Sequence, residues 1–593
     1  MIERPDYVVV GSGAGGGTLA ARLAERGATV VVLEAGGDPR STPEARDDYD
    51  VPGFHAKASE NAVTAWNFRV AHYANPERAA RDPKCGARGV LYPRAGTLGG
   101  CTAHNAMIIM PPPPGDWDAV AELTGDPSWS GANMRKYWQR IEACHHRPVR
   151  RWLARLTGRD ASAHGWRGWL GVETAMPADV LRDRTMMGTM LVSAMAAVGR
   201  RRGWLMRLLT GKGDPNDARM AGQEGVWTVP LSTTGHARQG TRERLLEVQR
   251  RHPERLHIEL DALATRIMLD AEGRAVGIEY LKGARLYGAT PGASTAASTP
   301  CRVIAGKEVI LCGGSFNSPQ LLMLSGIGPA DELARHGIPV VVDSPGVGAN
   351  LQDRYEVGIV SKMVMPWAAL AAACYERGDP VFRRWARHER EGLYTSNGVA
   401  LGVSRRSAGT TGPDADLWLM ALVARFEGYA TGYSRVIGQF DDCLTWAILK
   451  GRTRNRAGTV RLASLDPKAP PVIDFAYFAD GDFDLKAVAE AVGIAREIAA
   501  AGHRAGLIEA ELSPGADVTG AALERWIADH AWGHHACGTA AIGTVLDTDF
   551  RVCGVPRLRV VDASVFPRIP GFFISAAIMM VAEKAADAIL GEP

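Results

Sequence analysis

A short apolar run, Tyr7 to Val10, leads directly into Gly11-Ser-Gly-Ala-Gly-Gly16. A helix-compatible segment runs from about Gly17 to Arg26, and a second apolar run, Thr29 to Leu33, ends on Glu34. This order of strand, glycine turn, helix, strand and acidic residue constrains the fold more than any other stretch. It predicts a parallel α/β unit that binds a dinucleotide. Gly11 supplies a tight turn with positive φ. Gly13 has no side chain, so a pyrophosphate can approach the backbone, and Gly16 lets the helix pack close to the sheet. The helix N-terminus offers unpaired N–H groups to phosphate. Glu34 is placed to accept hydrogen bonds from an adenosine ribose.

At 593 residues the chain is too long for one typical domain and suits two interleaved ones. Lys plus Arg number 68 against 65 Asp plus Glu, a near balance that gives no support for nucleic-acid binding. The nine cysteines are scattered, with no CxxC pair and no tetrahedral zinc spacing. They read as reduced thiols of a cytoplasmic protein without a resident metal. The first strand begins almost at once, so no signal peptide is expected. No run reaches eighteen apolar residues, which argues against a membrane span.

Further along, Pro93-Arg-Ala-Gly-Thr-Leu-Gly-Gly-Cys-Thr-Ala-His-Asn105 sets Gly99 and Gly100 beside His104 and Asn105, with Arg94 at its start. Such a segment can run against a flat cofactor. A helical pattern follows from about Trp117 to Arg147. Residues 148–222 mix Met186, Met187, Met190, Met195, Trp204, Leu205, Met206, Leu208 and Leu209 with Arg182, Arg184, Arg200, Arg201, Arg202 and Arg207. Three readings of this Met-rich stretch stay open: core packing, a lid over an apolar substrate, or a membrane-surface helix. A strand meander is expected between 256 and 280, a mobile loop over 284–300, and a strand from Val303 to Leu311. Gly313-Gly-Ser-Phe-Asn-Ser318 then turns into a helix from about Pro319. A short strand is expected at 337–342. Residues 356–475 read as a second, mixed or antiparallel sheet, followed by helices near 484–501 and 518–530. The adjacent His534 and His535 occupy a small-residue loop, a strand at 557–561 ends on Asp562 and Ala563, and a final helix spans Ile574 to Leu590.

Taken together, these motifs resemble the glucose–methanol–choline (GMC) family of FAD-dependent oxidoreductases from Asp6 to about Leu590. The resemblance rests on the N-terminal fingerprint with Glu34, on Arg94 to Asn105, on Gly314-Ser315 through Gly328, and on His535 to Gly543 with the Leu558 to Ser564 stretch. Asn350-Leu-Gln-Asp353 also matches, with Arg354 where many members have His. The resemblance implies α/β and α+β architecture, a Rossmann-type FAD-binding domain with an interleaved antiparallel-sheet substrate domain. Residues 1–160, 236–355 and 531–593 fall to the FAD side, 161–235 to a substrate insert or lid, and 356–530 to the substrate domain.

It also implies an alcohol oxidase or dehydrogenase that passes hydride to flavin N5. His535 matches the catalytic histidine and His534 is its adjacent partner. The expected FAD contacts are Gly11, Gly13, Gly16, Glu34, Arg94, Gly99, Gly100, His104, Asn105, Asp562, Ala563 and Phe573. Two positions depart from the usual pattern. Phe573, or Phe572, stands where members usually carry Asn or His. His104 matches a subset, resembling choline oxidases, in which a histidine is bonded to the flavin, so a covalent link is expected there. The substrate is a small alcohol and the acceptor O2 or a quinone. Met, Trp and aromatic content favours a long-chain or aromatic alcohol. Glu427 beside Phe426 and Tyr429 keeps a choline-like alcohol open, and the missing Asn/His keeps open a different reading, a flavoprotein that oxidises no alcohol.

Overall fold

A computed structural model describes residues 2–174, 177–198, 213–387 and 389–591. Arg200, Arg201, Arg202, Trp204, Leu205, Met206, Arg207, Leu208 and Leu209 lie outside the described residues.

The first strand, Tyr7–Val10, is central in a five-stranded parallel sheet. Val30–Leu33 and Glu308–Leu311 flank it, Leu256–Glu259 lies beyond the former, and Leu558–Val560 beyond the latter. The inner strands are continuous apolar runs because both sheet faces are covered. The helices Ala14–Glu25 and Ile574–Leu590 pack on each other, and Arg22 pairs with Glu583 at 2.7 Å. The first helix starts at Ala14, three residues before the expected Gly17. Glycine is costly inside a helix in general, but here it is required. A Cβ on Gly15 would lie 2.1 Å from the Val561 carbonyl oxygen, and one on Gly17 would lie 2.5 Å from Thr241 Cβ.

A second sheet has six antiparallel strands, in the order Ile508–Ser513, Tyr355–Met363, Cys443–Lys450, Leu417–Leu422, Val399–Arg405 and Gly225–Trp227. The helix Phe483–Arg504 packs against it, and the Met-rich helix Arg184–Val198 lies beside that one. Met186 is buried in this second core. The expected helices near 484–501 and 518–530 are Phe483–Arg504 and Gly520–His530.

Four local expectations are corrected. The helical pattern at 117–147 is two helices, Pro114–Thr124 and Gly131–Ile141, because Gly125 takes φ +68° and ends the first. The helix expected from Pro319 starts at Gly314 and carries the proline inside it. The carbonyl of Ser315, which Pro319 cannot bond, accepts from Thr539 Oγ1 at 2.7 Å instead. Residues 284–300 are not simply a mobile loop. Leu286, Tyr287 and Ala289 are buried, Tyr287 Oη donates to Gln320 Oε1 at 2.8 Å, and the next strand begins at Thr299. The short strand expected at 337–342 is Val342–Asp343, paired with Ile327–Gly328. All nine cysteines are free thiols. Among the described residues no helix is long and apolar enough to cross a membrane.

Candidate active site

A large cavity opens where the carboxyl ends of the parallel strands meet the antiparallel sheet, the position in which open α/β sheets place ligands. Gly11, Gly13, Glu34, Arg94, Gly100, His104, Asn105, His534, His535, Asp562, Ala563 and Phe573 all line it. Gly16 and Gly99 do not. Gly16 acts in packing, since a Cβ there would lie 2.0 Å from the Gly11 oxygen. Gly99 holds φ +99° and donates its N–H to Ser12 Oγ at 2.9 Å.

Ser12 links two of these segments. Its hydroxyl donates to Glu34 Oε2 at 2.5 Å, and the Gly36 N–H reaches Glu34 Oε1 at 3.0 Å. Burial dominates and pushes the Glu34 carboxyl up to about 7, against these hydrogen bonds. Gly13 caps the first helix with no side-chain bond, and a Cβ on it would meet only Gly100 Cα at 3.9 Å. The first-turn N–H groups therefore stand open toward the cavity. Asp562 ties the C-terminal strand to the second glycine turn, accepting from the Gly314 N–H at 2.8 Å and from Ser318 Oγ at 2.6 Å.

The histidine loop is fixed by Arg94 and by two residues that sequence reasoning left without roles, Tyr92 and Asp353. Tyr92 Oη donates to Asp353 Oδ2 at 2.6 Å and accepts the Ala536 N–H at 2.8 Å. Asp353 Oδ1 accepts the His535 N–H at 2.8 Å. Arg94 Nη1 donates to the His534 carbonyl at 3.1 Å while its guanidinium lies over the Tyr92 ring. Tyr92 stands just before the recognised Pro93-Arg94 stretch, and Asp353 closes the Asn-Leu-Gln-Asp motif, so both carried a signal.

Glu356 supplies the carboxylate missing from the sequence reading. Its Oε1 lies 3.3 Å from His534 Nδ1 and 3.6 Å from His535 Nδ1. It is 3% exposed, and burial together with the Asp353 charge holds its carboxyl well above the usual range. Burial, then the Arg94 and Arg354 guanidinium groups, lowers His534 to about 3. Burial and the His534 ring hold His535 well below the ordinary imidazole value. The ligand atoms of the three groups lie within 4.8 Å of one another, close enough to share a proton or a small cation.

His104 Nδ1 is buried without a hydrogen-bond partner, and burial lowers that imidazole to about 3. Asn105 Oδ1 accepts from Arg238 Nη1 at 2.9 Å. Phe573 caps the last helix with its ring centroid 6.1 Å from that of His535, where its apolar edge replaces a polar group. Phe572 does not line the cavity but packs on Trp418, and Glu427 pairs with Arg425 at 2.9 Å, 42% exposed. Phe426, Tyr429 and Tyr433 do line the cavity. An open glycine cradle, uncapped helix N–H groups and an orphaned buried imidazole together fit a dinucleotide flavin.

Comparison with known proteins agrees. The chain matches the GMC oxidoreductase family over residues 6–356 in its N-terminal part and 453–582 in its C-terminal part. It is 30% identical to an oxygen-dependent choline dehydrogenase of Rhizobium rhizogenes, over 99% of this chain and 96% of the relative. Its fold is similar to that of pyridoxine 4-oxidase from Mesorbium loti, with TM-score 0.77 and 23% identity over 99% of each chain. It is also similar to a formate oxidase variant from Aspergillus oryzae, with TM-score 0.79 and 22% identity over 99% of this chain and 98% of the other. The chain belongs to the GMC oxidoreductase family and is an FAD-dependent oxidoreductase that acts on alcohols.

Proposed function

We propose that this enzyme oxidises a primary or secondary alcohol with an apolar body to the aldehyde or ketone. The observation that carries this reading is the cavity wall. Val399, Met420 and Leu422 from the six-stranded sheet join Met107, Met190 and Phe573 around it. The cavity surface as a whole is more apolar than polar, with Ser396, Asn397, Tyr429 and Tyr433 among the polar side chains, as suits an apolar ligand carrying one polar group. Segments 161–235 and 356–530 are assigned to the substrate side on the same ground.

FAD, when bound, accepts the hydride from the alcohol carbon. Gly11, Gly13 and Gly100 would border its pyrophosphate, and Glu34 its ribose. Arg94, His104, Asn105, Asp562, Ala563 and the N-terminus of the helix Ile574–Leu590 would border the ring end. His104 is the proposed attachment point, because its buried imidazole is uncharged and free to bond. His535 takes the hydroxyl proton. Its lone pair is free at neutral pH because burial keeps the ring unprotonated. Glu356 is the nearest carboxyl to the imidazolium that then forms, and His534, its ring 3.9 Å from that of His535, would donate toward the substrate oxygen. O2 or a quinone serves as the final acceptor.

A second reading has its own support. Glu356 with Phe426, Tyr429 and Tyr433 provides a carboxyl and three aromatic faces, which suits a quaternary ammonium alcohol. The relatives named choline dehydrogenase favour it as well. Anaerobic titration of the holoenzyme with long-chain, benzylic and choline-type alcohols separates the two. The apolar reading expects bleaching at the lowest concentration with long-chain or benzylic alcohols. Choline acting at lower concentration than any of them establishes the second reading, and no bleaching by any alcohol refutes both.

A further inference from the structure

The helix Pro148–Thr157 has no buried residue. A surface helix normally hides its apolar stripe and shows its polar face. Here Val149, Trp152, Leu153 and Leu156 fall at i, i+3, i+4 and i+7, on one face, and are 70%, 61%, 43% and 67% exposed. Arginines 147, 150, 151, 155 and 159 surround them, with no Asp or Glu between Glu142 and Asp160. With Arg147 paired to Asp214, the four remaining arginines still exceed the net +3 of the whole chain. The helix is firmly held at its base, where Asp214 Oδ2 accepts from Arg147 Nε at 3.0 Å and pairs with His146 Nε2 at 2.7 Å. Gly158, with φ +66°, ends it cleanly.

We propose that this helix docks the enzyme on an anionic lipid bilayer surface. An apolar stripe led by tryptophan and bordered only by arginine matches the acyl–headgroup boundary. The stripe enters the hydrocarbon edge while the guanidinium groups stay with the lipid phosphates. A protein partner of ordinary composition offers no comparable single-sign surface, and a second copy of this helix would meet its own positive charge. The proposal stands apart from the substrate reading, although a bilayer also concentrates apolar alcohols.

The test is flotation of the full-length holoenzyme with vesicles of phosphatidylcholine alone or phosphatidylcholine plus phosphatidylglycerol. The enzyme is expected to float with the anionic vesicles, and to be released in about 1 M salt, where the screening length is about 3 Å. Trp152→Ser with Leu156→Ser, and separately Arg151→Glu with Arg155→Glu, are each expected to lower the bound fraction at least tenfold. Alcohol-driven bleaching without vesicles should stay unchanged, which shows that the variants are folded. Wild-type enzyme that stays at the bottom, or variants that float as well as wild type, overturn the proposal. So does a dimer seen by light scattering that the Trp152→Ser, Leu156→Ser variant abolishes, which would place a second copy on this face.

Discussion

Replacing Tyr92 with Phe removes one oxygen from the interior and leaves the ring where it packs, 5.2 Å from Phe475 and 5.4 Å from Phe316. That oxygen makes two bonds of consequence, to Asp353 Oδ2 at 2.6 Å and from the Ala536 N–H at 2.8 Å. Both partners are buried. A buried polar group left without a partner costs about 1–3 kcal/mol, so losing both bonds costs about 2–6 kcal/mol. Asp353 also fixes the His535 N–H at 2.8 Å, so the loss falls on the backbone that aims the imidazole proposed as the base. A shift of order 1 Å in such a group costs about 10²-fold in rate. Tyr92→Phe is therefore expected to retain FAD, to melt at lower temperature, and to reduce its flavin with alcohol about ten- to a hundred-fold more slowly. Melting is followed by flavin fluorescence and reduction by anaerobic stopped flow. A variant that melts earlier yet reduces its flavin at the wild-type rate would refute the positioning argument.

Four further outcomes follow from the geometry. Gly13→Ala adds a methyl group that meets only Gly100 Cα at 3.9 Å, so apo stability should hold while FAD affinity falls, read by flavin titration. Gly15→Ala, whose methyl would lie 2.1 Å from the Val561 oxygen, should lose both. Denatured holoenzyme should carry flavin on the peptide containing His104 by mass, and His104→Ala should release it free; unmodified wild-type peptide contradicts the link. Asp214→Asn should cost about 3–5 kcal/mol, as breaking a buried pair does. Burial opposes charge on His146, but its bond to Asp214 outweighs this and lifts the imidazole to about 10. That stabilisation is complete below the unfolded value of about 6.5 and falls as pH rises toward 10. Denaturant midpoints across this range should decline more steeply in wild type than in the variant.

What was legible in the chain was local. Strand, glycine turn and Glu34 are neighbours in sequence, and the last helix, Ile574–Leu590, announces itself by an unbroken apolar period. The glycines at 15 to 17 misled, because propensity counts against them while contact with Val561 and Thr241 requires them. The carboxyl beside the histidines could not be read, since Glu356 reaches them only through the Glu356–Trp532 bridge between distant segments. Glu427 had the better local context, next to Phe426, yet its side chain turns outward to Arg425. The poor composition of 284–300 hid Tyr287, whose burial depends on Gln320 and Asn317.

The central claim is that His535 removes the alcohol proton beside the flavin. It is tested most directly by anaerobic flavin reduction in His535→Ala with FAD content matched to wild type. Loss of a general base predicts a rate lower by about 10²–10⁴-fold with the yellow cofactor retained. Reduction at the wild-type rate would contradict the account.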